Sequence, residues 1–192
     1  MRFPLPIEII TCPQWKARRP KQGIQTVGQS ERTIFHHTAG HHRQLDGTAK
    51  QTREEAIRYA QDIQAFHMDG NGWNDSGHNF LVCRNGLILQ GRWLTVSAIQ
   101  AGHMVSSAHC PGQNSQVGIE HEHLGAEEMT AEQREGSALL MAWIAWHYDL
   151  KNVLPSMPHS RYFATACPAN LTEDIAGILE RAQLLLNQAR AL

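Results

Sequence analysis

Asn85-Gly86 sits between two apolar runs, Asn79-Phe-Leu-Val-Cys-Arg84 and Leu87-Ile-Leu-Gln-Gly91. An Asn-Gly pair accepts the positive φ angles of a tight turn, so this stretch reads as a β-hairpin. Any fold of the chain must therefore extend that strand pair into a sheet. Thr33-Ile-Phe-His-His-Thr38 has the β-branched and aromatic content of a buried strand. It ends at Ala39-Gly40, and the polar residues through Lys50 read as a loop. Gln116-Val-Gly-Ile-Glu-His-Glu-His123 reads as another strand.

Helical signals alternate with these strands. Thr52-Arg-Glu-Glu55 is a capping box, followed at helical spacing by Ala56, Ile57, Ala60, Ile63 and Phe66, with a stop near Asp69-Gly-Asn-Gly72. Thr130-Ala-Glu-Gln133 is a second box, opening a long helix through Leu139, Leu140, Trp143, Ile144 and His147. Leu171, Ile175, Ile178, Leu179, Ala182 and Leu186 make a last amphipathic helix. The pattern predicts one α/β domain with a central mixed β-sheet flanked by helices. Residues 1–31 carry Pro4, Pro6, Pro13, Pro20, Gly23 and Gly28 and read as an irregular lead-in packed on a domain of residues 32–192.

A length of 192 residues suits one domain with a real core. Lys plus Arg (17) nearly balance Asp plus Glu (18), so no nucleic-acid partner and no anionic membrane is expected. The start, Met1-Arg2 and then Phe3-Pro-Leu-Pro-Ile-Glu8, is broken by prolines and is not a secretory signal, which predicts synthesis in the cytoplasm. No stretch reaches the roughly 20 apolar residues of a membrane span. Four scattered cysteines, Cys12, Cys83, Cys110 and Cys167, show no finger spacing. Twelve histidines are the outlier, and at neutral pH they are potential ligands and proton carriers.

Among these, His159 stands eight residues before Cys167 in His159-Ser-Arg-Tyr-Phe-Ala-Thr-Ala-Cys167, and His36 lies on the apolar strand far upstream. Together they can supply three ligands, the count a catalytic zinc uses when one position stays open for water. Taken singly, each has a plainer reading. His36 would be a hydrogen-bonded core histidine, with His37 pointing to the opposite face, and Cys167 a buried inert thiol. Glu120 and Glu122 share one strand face, either a solvated edge or a base beside a metal-activated water. His78, after the turn-like Trp73-Asn-Asp-Ser-Gly77, is a surface residue or an oxyanion donor. His41, His42, His67, His103, His109 and His147 read as surface or core residues.

Five pieces, in order, resemble the zinc amidase family that holds N-acetylmuramoyl-L-alanine amidases, short phage amidases and peptidoglycan recognition proteins. They are Thr33-Ile-Phe-His-His-Thr-Ala-Gly40, Trp73-Asn-Asp-Ser-Gly-His-Asn-Phe80, Asn85-Gly86 with Gly91-Arg92, Asn114-Ser-Gln-Val-Gly-Ile-Glu120, and His159 with Thr165-Ala-Cys-Pro168. Cys12-Pro-Gln-Trp-Lys-Ala-Arg18 also looks like the lead-in of the recognition proteins. The resemblance implies that His36, His159 and Cys167 bind zinc and that Glu120 is the base, with Glu122 the next choice. It puts His78 where many members carry a tyrosine that steadies the transition state, and Thr165 where phage members often carry a lysine. Gln100 replaces a histidine common in its loop.

The implied substrate is peptidoglycan, cut at the amide joining N-acetylmuramic acid to L-alanine by a monomeric, endolysin-like enzyme acting on the cell wall. The alternatives are a non-catalytic wall-recognition module, a zinc peptidase acting within the stem peptide, and a cytosolic muropeptide-recycling amidase.

Overall fold

A computed structural model describes residues 2–40 and 51–192. In chain order the strands and helices are β1 (Ile9–Ile10), β2 (Thr26–Val27), β3 (Thr33–His37), α1 (Arg53–Ala65), β4 (Phe80–Val82), β5 (Ile88–Gln90), α2 (Thr95–Gln100), β6 (Met104–Val105), β7 (Val117–His121), α3 (Ala131–His147), β8 (Ser156–Pro158) and α4 (Ile175–Arg190). Six strands form a mixed sheet in the order β1-β5-β4-β7-β3-β8, while β2 and β6 make a separate antiparallel pair. Within the large sheet the hairpin pair β4–β5 is antiparallel and every other neighbour is parallel. The protein is thus α/β, with helices on both faces of the mixed sheet.

The hairpin turn is held on two sides. Gly86 has φ +79, the left-handed region its residue type tolerates. Helix α3 also crosses the turn so closely that a Cβ on Gly136 would lie 2.5 Å from the Gly86 carbonyl oxygen. Strand side chains alternate, and the two sheet faces carry separate cores. Phe80, Val82, Ile88 and Ile119 pack beneath α3 and α4, whereas Leu81, Cys83 and Leu89 meet Ala56, Tyr59 and Ala60 of α1. Leu81, Glu120 and His36 are neighbours in register across β4, β7 and β3, so His36 and Glu120 belong to the α1 face. His121 takes the other face, with Nε2 3.0 Å from Ser137 Oγ on α3.

Local signals are borne out unevenly. Thr52 and Glu55 close the first capping box reciprocally. Thr130 does cap α3, but Gln133 does not complete the second box; its amide turns inward and donates to the carbonyls of Val82 and Glu122 at 3.0 Å. Helix α1 ends at Ala65 and passes into a π turn over Phe66–Gly70, while Leu171 lies on a 3-10 turn (Ala169–Glu173) before α4. The lead-in is less irregular than its prolines suggest: β1 is an edge strand of the main sheet, and buried Trp15 donates its indole N–H to the Gln90 carbonyl at 2.8 Å. The loop expected up to Lys50, with His41 and His42, lies outside the described residues.

Candidate metal centre

Strands β3 and β8 are parallel neighbours, with Phe35 opposite Pro158. His159 leaves the end of β8 beside β3, and its ring centroid comes 4.3 Å from that of His36. The loop that follows folds back on itself, because the Ser160 N–H donates to the Cys167 carbonyl at 2.8 Å. Cys167 Sγ then lies 3.7 Å from His36 Nδ1, and it accepts the His37 backbone N–H at 3.3 Å. One ligand atom from each of His36, His159 and Cys167 falls within 4.8 Å of the others.

These residues fit a zinc ion. Tetrahedral zinc with nitrogen at ~2.0 Å and sulfur at ~2.3 Å sets those two atoms roughly 3.5 Å apart. Both ring nitrogens of His159 are buried without a hydrogen-bond partner in the protein. Burial, reinforced by the surrounding histidines, holds His36 well below the usual imidazole range, so it is neutral and able to ligate. Burial also pushes the Cys167 thiol up to about 12, against the His37 N–H, so a thiolate there requires a cation.

Glu120 stands across from His36 on β7. Burial pushes its carboxyl up to about 7, opposed by the nearby His67 and His37. His78 Nδ1 lies 3.0 Å from Glu120 Oε2, off the line of a hydrogen bond, and burial keeps the imidazole neutral. Neither carboxylate sits at a solvated edge, since Glu120 and Glu122 are both buried. Glu122 Oε2 accepts the Gln51 amide at 2.7 Å and the Arg84 backbone N–H at 3.3 Å, tying the start of α1 to the hairpin. Thr165 Oγ1 accepts the Cys167 backbone N–H at 3.2 Å.

Residues 27–170 match the family of N-acetylmuramoyl-L-alanine amidases. The chain belongs to that family. Peptidoglycan-recognition protein SC2 of Drosophila melanogaster is 32% identical over 116 residues, which are 60% of this chain and 54% of the relative. The chain thus spans about half the length of that curated relative. Peptidoglycan recognition protein-LE, solved in complex with tracheal cytotoxin, superposes with a TM-score of 0.72 at 26% identity, covering 88% of this chain and 92% of that one. The amidase LysC from Clostridium intestinale has the same fold, with a TM-score of 0.66 at 20% identity over 91% of this chain and 99% of its own.

Two histidines read as ordinary surface or core residues stand in this amidase-family site. His109 places Nδ1 2.8 Å from His36 Nε2 and Nε2 3.0 Å from the Gln116 carbonyl oxygen. His67, on the π turn after α1, accepts the Gly77 N–H at Nδ1 (3.1 Å) and stacks on Trp73. His67, His78 and Glu120 also bring donor atoms within 4.8 Å of one another. The Gly77 N–H forces the His67 proton onto Nε2, so that edge donates rather than ligates. This second group is therefore suited to holding a proton beside Glu120. The excess of histidine was the one sequence signal for either residue. Gln100 lines a groove with Trp143 and His147 of α3.

Proposed function

We propose that this chain is a zinc-dependent amidase that hydrolyses the bond between the lactyl group of N-acetylmuramic acid and L-alanine in peptidoglycan. The observation that carries the reading is Glu120, a buried carboxyl group with acidity near about 7, on the strand next to three convergent ligand atoms. His36, His159 and Cys167 would hold the zinc, which supplies Lewis acidity toward water and an amide carbonyl. Glu120 takes the proton of the attacking water and returns it to the leaving amine. A base whose pKa lies near the working pH can do both.

We assign His78 a packing role beside the base: its Nδ1 lies 3.0 Å from Glu120 Oε2, off the line of a hydrogen bond, so it walls the carboxyl group in rather than steadying an oxyanion. Thr165 accepts the Cys167 N–H and keeps its own hydroxyl hydrogen for the oxyanion, where one donor is worth roughly 3 kcal/mol. Glu122 is engaged by Gln51 and Arg84 and is set aside as base.

A recognition module that binds without cutting is the second reading, favoured by the peptidoglycan-recognition names of the relatives. Incubation with peptidoglycan, with products identified by mass, separates the two. The amidase reading predicts intact stem peptides bearing a new L-alanine amino terminus. It also predicts loss of roughly 10²–10⁴-fold in rate for Glu120→Ala, with cleavage retained by Glu122→Ala. Tight muropeptide binding without products would leave the recognition module, and cuts within the stem peptide would indicate a peptidase.

A further inference from the structure

His109 comes from the loop before β7 and meets His36 on the side away from Cys167. Its contacts decide where two protons sit. The Gln116 carbonyl can only accept, so His109 Nε2, 3.0 Å away, carries a hydrogen. A buried imidazole that carries its single ring hydrogen on Nε2 has Nδ1 as a bare acceptor. His36 Nε2 lies 2.8 Å from that acceptor and must therefore donate. The His36 proton is thereby fixed on Nε2, and Nδ1, the atom 3.7 Å from Cys167 Sγ, is left with a free lone pair.

We propose that His109 is a positioning residue that presets the His36 tautomer and ring orientation for metal capture. The inference rests on the zinc reading above. Two further features support it. The far end of the relay is anchored, because the Gln116 side-chain oxygen accepts the backbone N–H groups of Glu31 and Arg32 at 2.9 and 3.2 Å. The ring also lies directly over Gly118 of β7, where a Cβ would fall 2.5 Å from His109 Cδ2 and 2.6 Å from Cγ. Only a residue without a side chain leaves room for the imidazole against the strand. Hydrogen-bonded partners behind a metal-bound histidine typically change metal affinity by roughly 10–100-fold when removed.

The test combines spectroscopy on the metal-free protein with zinc titration against a chromophoric chelator. Long-range proton–nitrogen spectra of metal-free wild type are expected to show His36 as the Nε2–H tautomer. His109→Ala should bind zinc about 10–100-fold more weakly. His109→Asn, which offers an amide oxygen near the original acceptor, should recover most of the loss. A His36 proton on Nδ1 in wild type, or equal zinc affinity in wild type and His109→Ala, would overturn the proposal. So would His109→Asn binding no better than His109→Ala, since the loss would then be one of packing. If wild type binds no zinc, the zinc reading itself fails, whereas the tautomer in the metal-free protein still reports on the relay. The wild-type spectrum needs no variant to fold.

Discussion

Replacing Glu120 with glutamine removes a buried acid while keeping its shape. Burial raises the pKa of this carboxyl group from the ordinary 4.5 to about 7. A raised carboxyl pKa means the fold prefers the protonated form, so wild-type stability falls as pH rises from 4.5 to 7 and levels off above that. Linkage over those two values gives a cost just under ~1 kcal/mol at pH 5 and about 3 kcal/mol at pH 8. Glutamine carries no such charge. The Glu120→Gln variant, stripped of metal, should therefore be more stable than wild type at pH 8 by about 2–3 kcal/mol and nearly equal to it at pH 5. Urea unfolding with a chelator present, followed by tryptophan fluorescence, measures both. The same variant should lose roughly 10²–10⁴-fold in cleavage if Glu120 is the base. A stability difference that does not change with pH, or a variant less stable at pH 8, would refute the burial argument.

Other consequences are as direct. Burial holds His109 and His121 at about 4, below the ordinary imidazole 6.5, so metal-free stability should drop as pH falls from 6.5 toward 4, by up to about 3 kcal/mol for each; urea midpoints across that range read it. Zinc binding must displace the Cys167 thiol proton, so apparent zinc affinity should rise about tenfold per pH unit around neutrality, as seen by chelator competition. Gly136→Ala pushes a methyl to 2.5 Å from the Gly86 carbonyl oxygen and should cost about 1–3 kcal/mol in thermal unfolding. Glu122→Gln puts an amide NH2 where one carboxyl oxygen stood, beside the oxygen that accepts from Gln51 and Arg84, and should destabilise by about 1 kcal/mol while cleavage persists.

Much of this arrangement is legible in the sequence, where the information is local or periodic. The Asn85-Gly86 turn, the Thr52 box and the alternation that places His36 and His37 on different faces each depend on a few adjacent residues. His159 and Cys167 were legible as partners of His36 only together, since each alone suits an ordinary buried residue. The strands β1 and β8 have two and three residues, too few to show a period, and they form because the longer β5 and β3 offer them a partner; β2 and β6, two residues each, have only one another. Gln133 illustrates the competition: its spacing suits a cap, but the open carbonyls of Val82 and Glu122 claim its amide. His67 and His109 act through backbone groups of Gly77 and Gln116, and nothing in the spacing of ten or seven residues announces which ring nitrogen meets which group. Glu120 and Glu122 alternate identically along the chain, and only their neighbours distinguish a carboxyl beside the ligand atoms from one tied to the hairpin.

The most direct test of the proposal that the chain is a zinc amidase is a titration of the metal-free protein with zinc while peptidoglycan cleavage is followed by product mass. The account predicts no release of stem peptides after chelation, full recovery near one equivalent of zinc, and no recovery in Cys167→Ser or His36→Ala. Cleavage that survives chelation, or that returns in those variants as it does in wild type, would contradict it.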